Sequence, residues 1–397
     1  MRRPALAAIV AVLGLLLAAC VDGDADRRTG SPTDVLRPPD PPAVVGDRLA
    51  GVRPGKQLPL RPGERRMTLT MPAAYTPSAP TGVGTDDYRC FLLDPGLDRD
   101  VWLTGSDVRP GNPQVVHHVI LFRVPPDRVA EAERLDAAQD GEGWTCFGGS
   151  GISGDVTNID DASWLAAWAP GGDEALVRDG YGVRLDAGSR IVMQVHYNLL
   201  QGAAPDTSST LLRWMSARRD LTPLHTYLTP APVEMPCRPA HDDSPLCDRD
   251  AAVADVLARF GGAGNTNNLL HLLCGTAAEP SATTSCTRTI GRPMTVLGVA
   301  GHMHLLGRSL RIEVDPDTPD ARTLLDIPVW NFDDQQVRPV RPVHLDPGDT
   351  VRITCRHVQW LRDVLPAFER SRDDRYVIWA EGSTDEMCLG MLQVAFE

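Results

Sequence analysis

Five of the ten histidines fall in three short apolar runs: His117 and His118 in VVHHVILF, His196 in MQVHYN, and His302 and His304 in GHMHLLG. Imidazole nitrogen is the commonest protein ligand for first-row transition metals, so the question is whether these runs can bring nitrogens onto one ion. Residues i and i+2 of a β-strand share a face, which lets His302 and His304 project together. His117 and His118 are neighbours, and a regular strand sends neighbours to opposite faces; they converge only at a strand end or a bulge. His196, on a face with Val192, Gln194 and Asn198, offers a third nitrogen. Met387, in EGSTDEMCLG, is the sixth candidate, because a thioether is a soft ligand suited to Cu(I) rather than to zinc, calcium or magnesium. His225, His241, His271, His344 and His357 have no partner of this kind and read as structural or surface residues. Cupins also use HxH, but the glutamate expected a few residues later is missing, with Glu313 too far along.

These side chains need strands to hold them. Short runs rich in Val, Ile and Leu recur between turn-forming residues, with 34 prolines and 35 glycines and few amphipathic helical patterns, which predicts an all-β fold. The expected strands lie in RMTLTM, VVHHVILFRV, SRIVMQVHYNLL, PMTVLGVAGHMHLLG, GDTVRITCRHVQW and RYVIWAEGSTDEMCLGMLQVAF. A chain of 397 residues is long enough for two cores, and the polar, proline-ended SARRDLTP at 216–223 is the expected junction. The predicted organisation is a first domain over 66–217 and a second over 218–397. The second carries a Cys-rich excursion near 237–290 that includes a helix at 250–260.

The first 19 residues, with two arginines, an apolar run and small residues leading to Cys20, read as an export signal. LLAAC is similar to a bacterial lipobox, which would make Cys20 the lipidated first residue of an exported cell-envelope protein, membrane-bound by its lipid anchor only. Residues 20–65 are rich in Pro, Asp, Arg and Gly and read as a tether; some 40 flexible residues reach on the order of 35 Å. The formal charge is −13, and loss of two arginines with the signal makes it more negative, so nucleic acid is excluded as a partner. Eight cysteines follow Cys20, an even number that in an exported chain implies four disulfides. Their irregular spacing argues against a structural zinc site.

HHVILF, QVHYN, HMHLLG and STDEMC, in this order, resemble the copper type II, ascorbate-dependent monooxygenases, the family of peptidylglycine α-hydroxylating monooxygenase and dopamine β-monooxygenase. The likeness runs from about residue 66 to the C-terminus, with YRC at 88–90 and AAWAPGG at 166–172 as further landmarks. It implies two tandem antiparallel, jelly-roll-like β-sandwich domains, a cleft between them, and two copper ions per chain. His117, His118 and His196 would hold the electron-storing copper; His302, His304 and Met387 would form the catalytic, oxygen-activating site. The implied reaction hydroxylates an sp³ carbon of a small molecule with O₂ and an external reductant such as ascorbate. The resemblance also suggests disulfides Cys90–Cys146 and Cys355–Cys388. Cys237–Cys247 and Cys274–Cys286 pair by proximity in sequence alone.

Two departures bear on the substrate. The peptide-amidating relatives carry an arginine two residues before the HxH pair and a tyrosine four after the methionine, which help hold a peptide carboxylate. Here those positions are Ala300 and Met391, so a less polar substrate is expected. Two other readings use the same residues. One is a non-catalytic copper-binding surface lipoprotein. The other, a zinc hydrolase, lacks a carboxylate at general-base spacing and leaves Met387 unexplained.

Overall fold

The computed structural model describes residues 57–79, 86–153, 158–170, 172–369 and 371–397. The export signal, Cys20 and most of the tether lie outside them. The fold is all-β and sandwich-like, and the sheets are antiparallel apart from one short parallel pair.

The first half contains β1 (Arg65–Thr70), β2 (Asp86–Leu93), β3 (Val101–Arg109), β4 (Val116–Val124), α1 (Val129–Ala137) and β5 (Trp144–Thr145). It continues through β6 (Trp164–Trp168), β7 (Ala175–Leu176), β8 (Tyr181–Leu185), β9 (Arg190–Asn198), β10 (Ser209–Ser216) and β11 (Thr222–Pro223). One sheet runs β1-β10-β3-β8-β11 with β7 on β3, and the other runs β5-β2-β9-β4-β6. Alternation puts Leu69, Leu103 and Leu212 of the first sheet against Phe91, Leu121 and Val195 of the second in one buried core. The second sheet's other face is covered by α1 and by the Cys90–Cys146 disulfide beside Phe122, Val124 and Trp144.

The second half contains β12 (His225–Pro230), β13 (Glu234–Met235), α2 (Arg249–Phe260), α3 (Thr266–Cys274), β14 (Thr283–Thr289), β15 (Met294–His302) and β16 (Gly307–Val314). Then come β17 (Arg322–Ile327), β18 (Arg338–Leu345), β19 (Thr350–His357), α4 (Leu361–Val364), β20 (Val377–Ile378) and β21 (Leu389–Phe396). Sheets β12-β21-β15-β18 and β14-β19-β16-β17 enclose a core in which Val296, Val299 and Leu392 meet Leu310, Ile312 and Ile353. The helix expected at 250–260 is α2, started by Asp248, whose carboxylate accepts the amide hydrogen of Ala251.

Three boundaries differ from the sequence expectation. Residues 57–65 are packed against the first sandwich, with the Glu64 carboxylate buried against Arg213 at 2.6 Å, so the tether ends earlier than 65. The first sandwich keeps its chain to Pro223, because β11 pairs with β8, and the junction falls beyond 217. Residues 283–289, assigned to the excursion, are a full strand of the second core.

The described residues, from 57 on, form one compact unit. The outer face of sheet β12-β21-β15-β18 abuts the first half: Leu297 and Ala395 cluster with Val177, Tyr181 and Val183, and Ala300, Leu389 and Met391 with Trp164. Main chain crosses the seam where Leu228 N–H donates to the Ile159 carbonyl at 2.7 Å. The four disulfides are Cys90–Cys146, Cys237–Cys247, Cys274–Cys286 and Cys355–Cys388, the pairs named from the sequence. They mark a chain folded in an oxidising compartment. No helix of the described residues is long and apolar enough to cross a membrane.

Candidate metal centre

β4 and β9 are neighbours in the five-stranded sheet, and their register slips where the histidines lie. Val116 faces Tyr197 and His118 faces His196, which leaves His117 as the extra residue of a bulge. The bulge turns two adjacent imidazoles toward one point. His118 Nδ1 lies 3.2 Å from His117 Nδ1 and 3.3 Å from His196 Nδ1. Ligands about 2.0 Å from one ion at tetrahedral angles are about 3.3 Å apart, the spacing of His118 Nδ1 from each of the other two nitrogens, so the three together could hold a metal ion. Asp86 Oδ1 stands 2.7 Å from His196 Nε2 and accepts its hydrogen, which leaves the Nδ1 lone pair for a metal. The Tyr88 ring stacks on His196 at 4.1 Å, and the Phe332 ring stacks on His117 at 4.1 Å.

His302 closes β15, and the ladder stops there. His304 lies past the strand end, not on a continuing strand as the HxH pattern suggests. The cause is Glu386: its Oε1 accepts the Leu306 amide hydrogen, and its Oε2 accepts those of His304 and Met387, at 3.0 and 3.2 Å for the latter two. The two rings nonetheless stay adjacent, with centroids 5.0 Å apart. Leu389 faces His302 across the sheet, and Met387, two residues before Leu389, shares the Glu386 Oε2 acceptor with His304. The Met387 side chain belongs to an apolar cluster with Leu270, Ala300, Trp379, Leu389 and Met391. Its carbonyl accepts from His357 Nε2 at 3.1 Å, and Cys355–Cys388 ties the residue after it to β19.

His304 is fully buried, and neither ring nitrogen has a hydrogen-bond partner. An imidazole left so in a protein interior is costly, and a metal is the partner that suits it. Burial first, then neighbouring imidazoles, hold His117, His118 and His304 well below the usual imidazole range. Burial holds His302 at about 4, although its contact with Gln335 opposes the shift. All four are therefore neutral at pH 7, the form in which imidazole binds metal.

The resemblance implied a cleft between the two ligand sets, but here they adjoin. The rings of His118 and His302 are 5.7 Å apart, edge to face, which leaves no solvent gap between them. One loop of the second half caps both sets: Phe332 lies on His117, and Gln335 Oε1 accepts from His302 Nδ1, leaving Nε2 for a metal. From the other side, the Ser383 amide donates to Asp86 at 3.2 Å, and Tyr88 donates to the Glu381 carbonyl at 2.7 Å.

Sequence reasoning missed Asp86, Phe332, Gln335, Glu386 and the part played by His357. None carries a spacing signal except Glu386, which sits beside Met387 in STDEMC. His357, read as structural or surface, is buried and braces the Met387 carbonyl; His225, His271 and His344 each contact a carboxylate, of Asp161, Glu234 and Glu397.

No family model and no curated protein matches the chain. Among solved structures, an allantoicase is 12% identical with a TM-score of 0.17, over 68% of this chain and 74% of that one. The major capsid protein P2 from bacteriophage PM2 is 8% identical with a TM-score of 0.25, over 84% and 98%. A T13 particle of IBDV is 9% identical with a TM-score of 0.18, over 83% and 68%. At such scores these likenesses carry no argument about fold or activity.

Proposed function

We propose that the chain is a copper-dependent monooxygenase of the type II, ascorbate-dependent kind, hydroxylating an sp³ carbon of a small, uncharged organic substrate. The observation that carries this reading is the convergence of His117, His118 and His196 on one point, with the His302 ring against His118 and the His304 ring against His302. The first three would hold one copper through Nδ1, and the second three the other, a soft set suited to Cu(I). Bound copper supplies the one-electron chemistry by which R–H, O₂, two electrons and two protons become R–OH and water, the electrons coming from a reductant such as ascorbate.

The protein's part is positional. Asp86 and Gln335 each take the hydrogen of one ring nitrogen and so fix the tautomers of His196 and His302. Glu386 holds the main chain of His304 and Met387 through one oxygen, which keeps these two ligands in register. Tyr88 and Phe332 exclude water from the first set. Ala300 and Met391 face each other across the ladder in the apolar cluster that contains Met387, where a charged substrate group meets no counter-charge. With the export reading of residues 1–19 and the lipobox-like LLAAC, the enzyme would work outside the cytoplasm, anchored through Cys20.

The test is copper loading followed by ascorbate-driven O₂ uptake across a panel of small molecules, with mass spectrometry for the gain of one oxygen. Two copper equivalents with uptake that needs both support the proposal. A loaded protein inert to a broad panel would instead favour a copper-binding lipoprotein.

A further inference from the structure

α3 is apolar on two sides. Its inner side places Leu270 in the cluster that contains Met387, and the Cys274–Cys286 disulfide fixes its end to β14. Leu269, Leu272 and Leu273, spaced i, i+3, i+4, form a stripe on its outer side and are 57, 79 and 42% exposed. Residues 260–278 around them contain no Asp, Glu, Lys or Arg, in a chain that is 23% charged. Scattered surface leucines need no explanation, but a leucine stripe inside a stretch of chain without charged residues does.

The area and the chain's own layout select the occupant. Three leucines at these exposures offer on the order of 300 Å² of apolar surface, well short of the roughly 800 Å² that each partner buries in a stable complex, so a second copy of the chain fits poorly. A lipid surface has no such minimum, because each inserted side chain gains independently. The inference rests on the proposed anchoring through Cys20: residues 21–56 separate that cysteine from the first described residue, and a chain of that length spans on the order of 35 Å without itself dictating which face of the domain meets the membrane. A feature of the folded surface must set it.

We propose that the outer side of α3 is a membrane-docking surface that inserts Leu269, Leu272 and Leu273 into the headgroup–acyl boundary of a zwitterionic bilayer. The absence of basic residues from 260–278, the pairing of Arg249, which reaches Asn268 of α3, with the Glu234 carboxylate, and the net charge of −13 disfavour anionic lipid. The inference is independent of the metal centre.

The test places a nitroxide on Leu272→Cys in the full chain, with labelling verified at that position. Collision with oxygen and with a water-soluble nickel chelate is then measured with and without phosphatidylcholine vesicles. Docking predicts at least a fivefold loss of nickel collision on adding vesicles, with oxygen collision kept or raised, and loss of both effects in Leu269→Ser/Leu273→Ser. No change with vesicles overturns the proposal. Shielding from both reagents without vesicles also overturns it, in favour of contact between copies.

Discussion

His118 and His302, from different sandwiches, meet edge to face with centroids 5.7 Å apart. This contact joins in one five-histidine cluster, three of the rings buried and two half-buried, the two sets that sequence likeness would put on opposite walls of a cleft. On the proposed function the seam between the sandwiches is part of the chemistry, because what holds β4 and β9 against the ends of β15 and β21 would hold the ligands too.

The two sets should still be separable by substitution. Met387→Ile removes the thioether at similar volume and leaves β4 and β9 untouched, so Cu(I) affinity and turnover are expected to fall while one copper stays on His117, His118 and His196. His302→Ala should behave in the same way. Copper stoichiometry by atomic absorption, with Cu(I) competition titration, reads both; full retention of the second copper in either variant would remove that residue from the ligand set.

Asp86→Asn keeps the size of the side chain but weakens its hold on His196 Nε2–H. A loss of 10- to 100-fold in affinity at the first copper is expected, the usual cost of removing such a partner. Chelator competition measures it. Unchanged affinity would show that Asp86 serves only the link to the Ser383 amide.

Glu381 supplies a pH dependence that does not pass through a ligand. Burial, with a contribution from Asp385, raises its carboxyl from 4.5 to about 7 against the opposing Gly148 amide hydrogen bond. A raised folded-state value favours the protonated form, so its stabilising contribution is complete below about 4.5 and lost as pH rises through about 7. Glu381→Gln cannot ionise. Its stability relative to the parent should therefore increase between pH 5 and pH 8, by up to about 3 kcal/mol. Denaturant midpoints of the two proteins at both pH values test this, and parallel curves would contradict it.

Ala300 and Met391 are a cross-strand pair on the face that carries Met387. Glycine-extended peptides, whose carboxylate would meet no cation there, are expected to turn over at least a hundredfold more slowly than the best uncharged substrate. Comparable rates, measured by product mass, would contradict the apolar reading of the site.

Much of the fold was legible because the strands have a buried face and their sequences alternate. RMTLTM, VVHHVILFRV and SRIVMQVHYNLL hold β1, β4 and β9, and α2 announces itself by period and cap. β2, β3, β10, β12, β14, β17 and β18 are among the strands not read; of these, TTSCTRT and RPVRPVHL are edge strands facing water, with too few apolar residues to show a period. The strand expected to run through HMHLLG ends at His302, because a buried glutamate 82 residues beyond His304 takes amide hydrogens from the loop, and no local pattern reports so distant a partner.

The sequence by itself determined the donor types, their order along the chain and the all-β class. Donor chemistry belongs to single residues, and strand periodicity is local. Only the tertiary structure decided that a bulge turns His117 and His118 together, that Asp86 and Gln335 fix the ring nitrogens, and that His118 touches His302. Each of these depends on register or on contacts between distant segments, which packing sets and spacing along the chain does not encode.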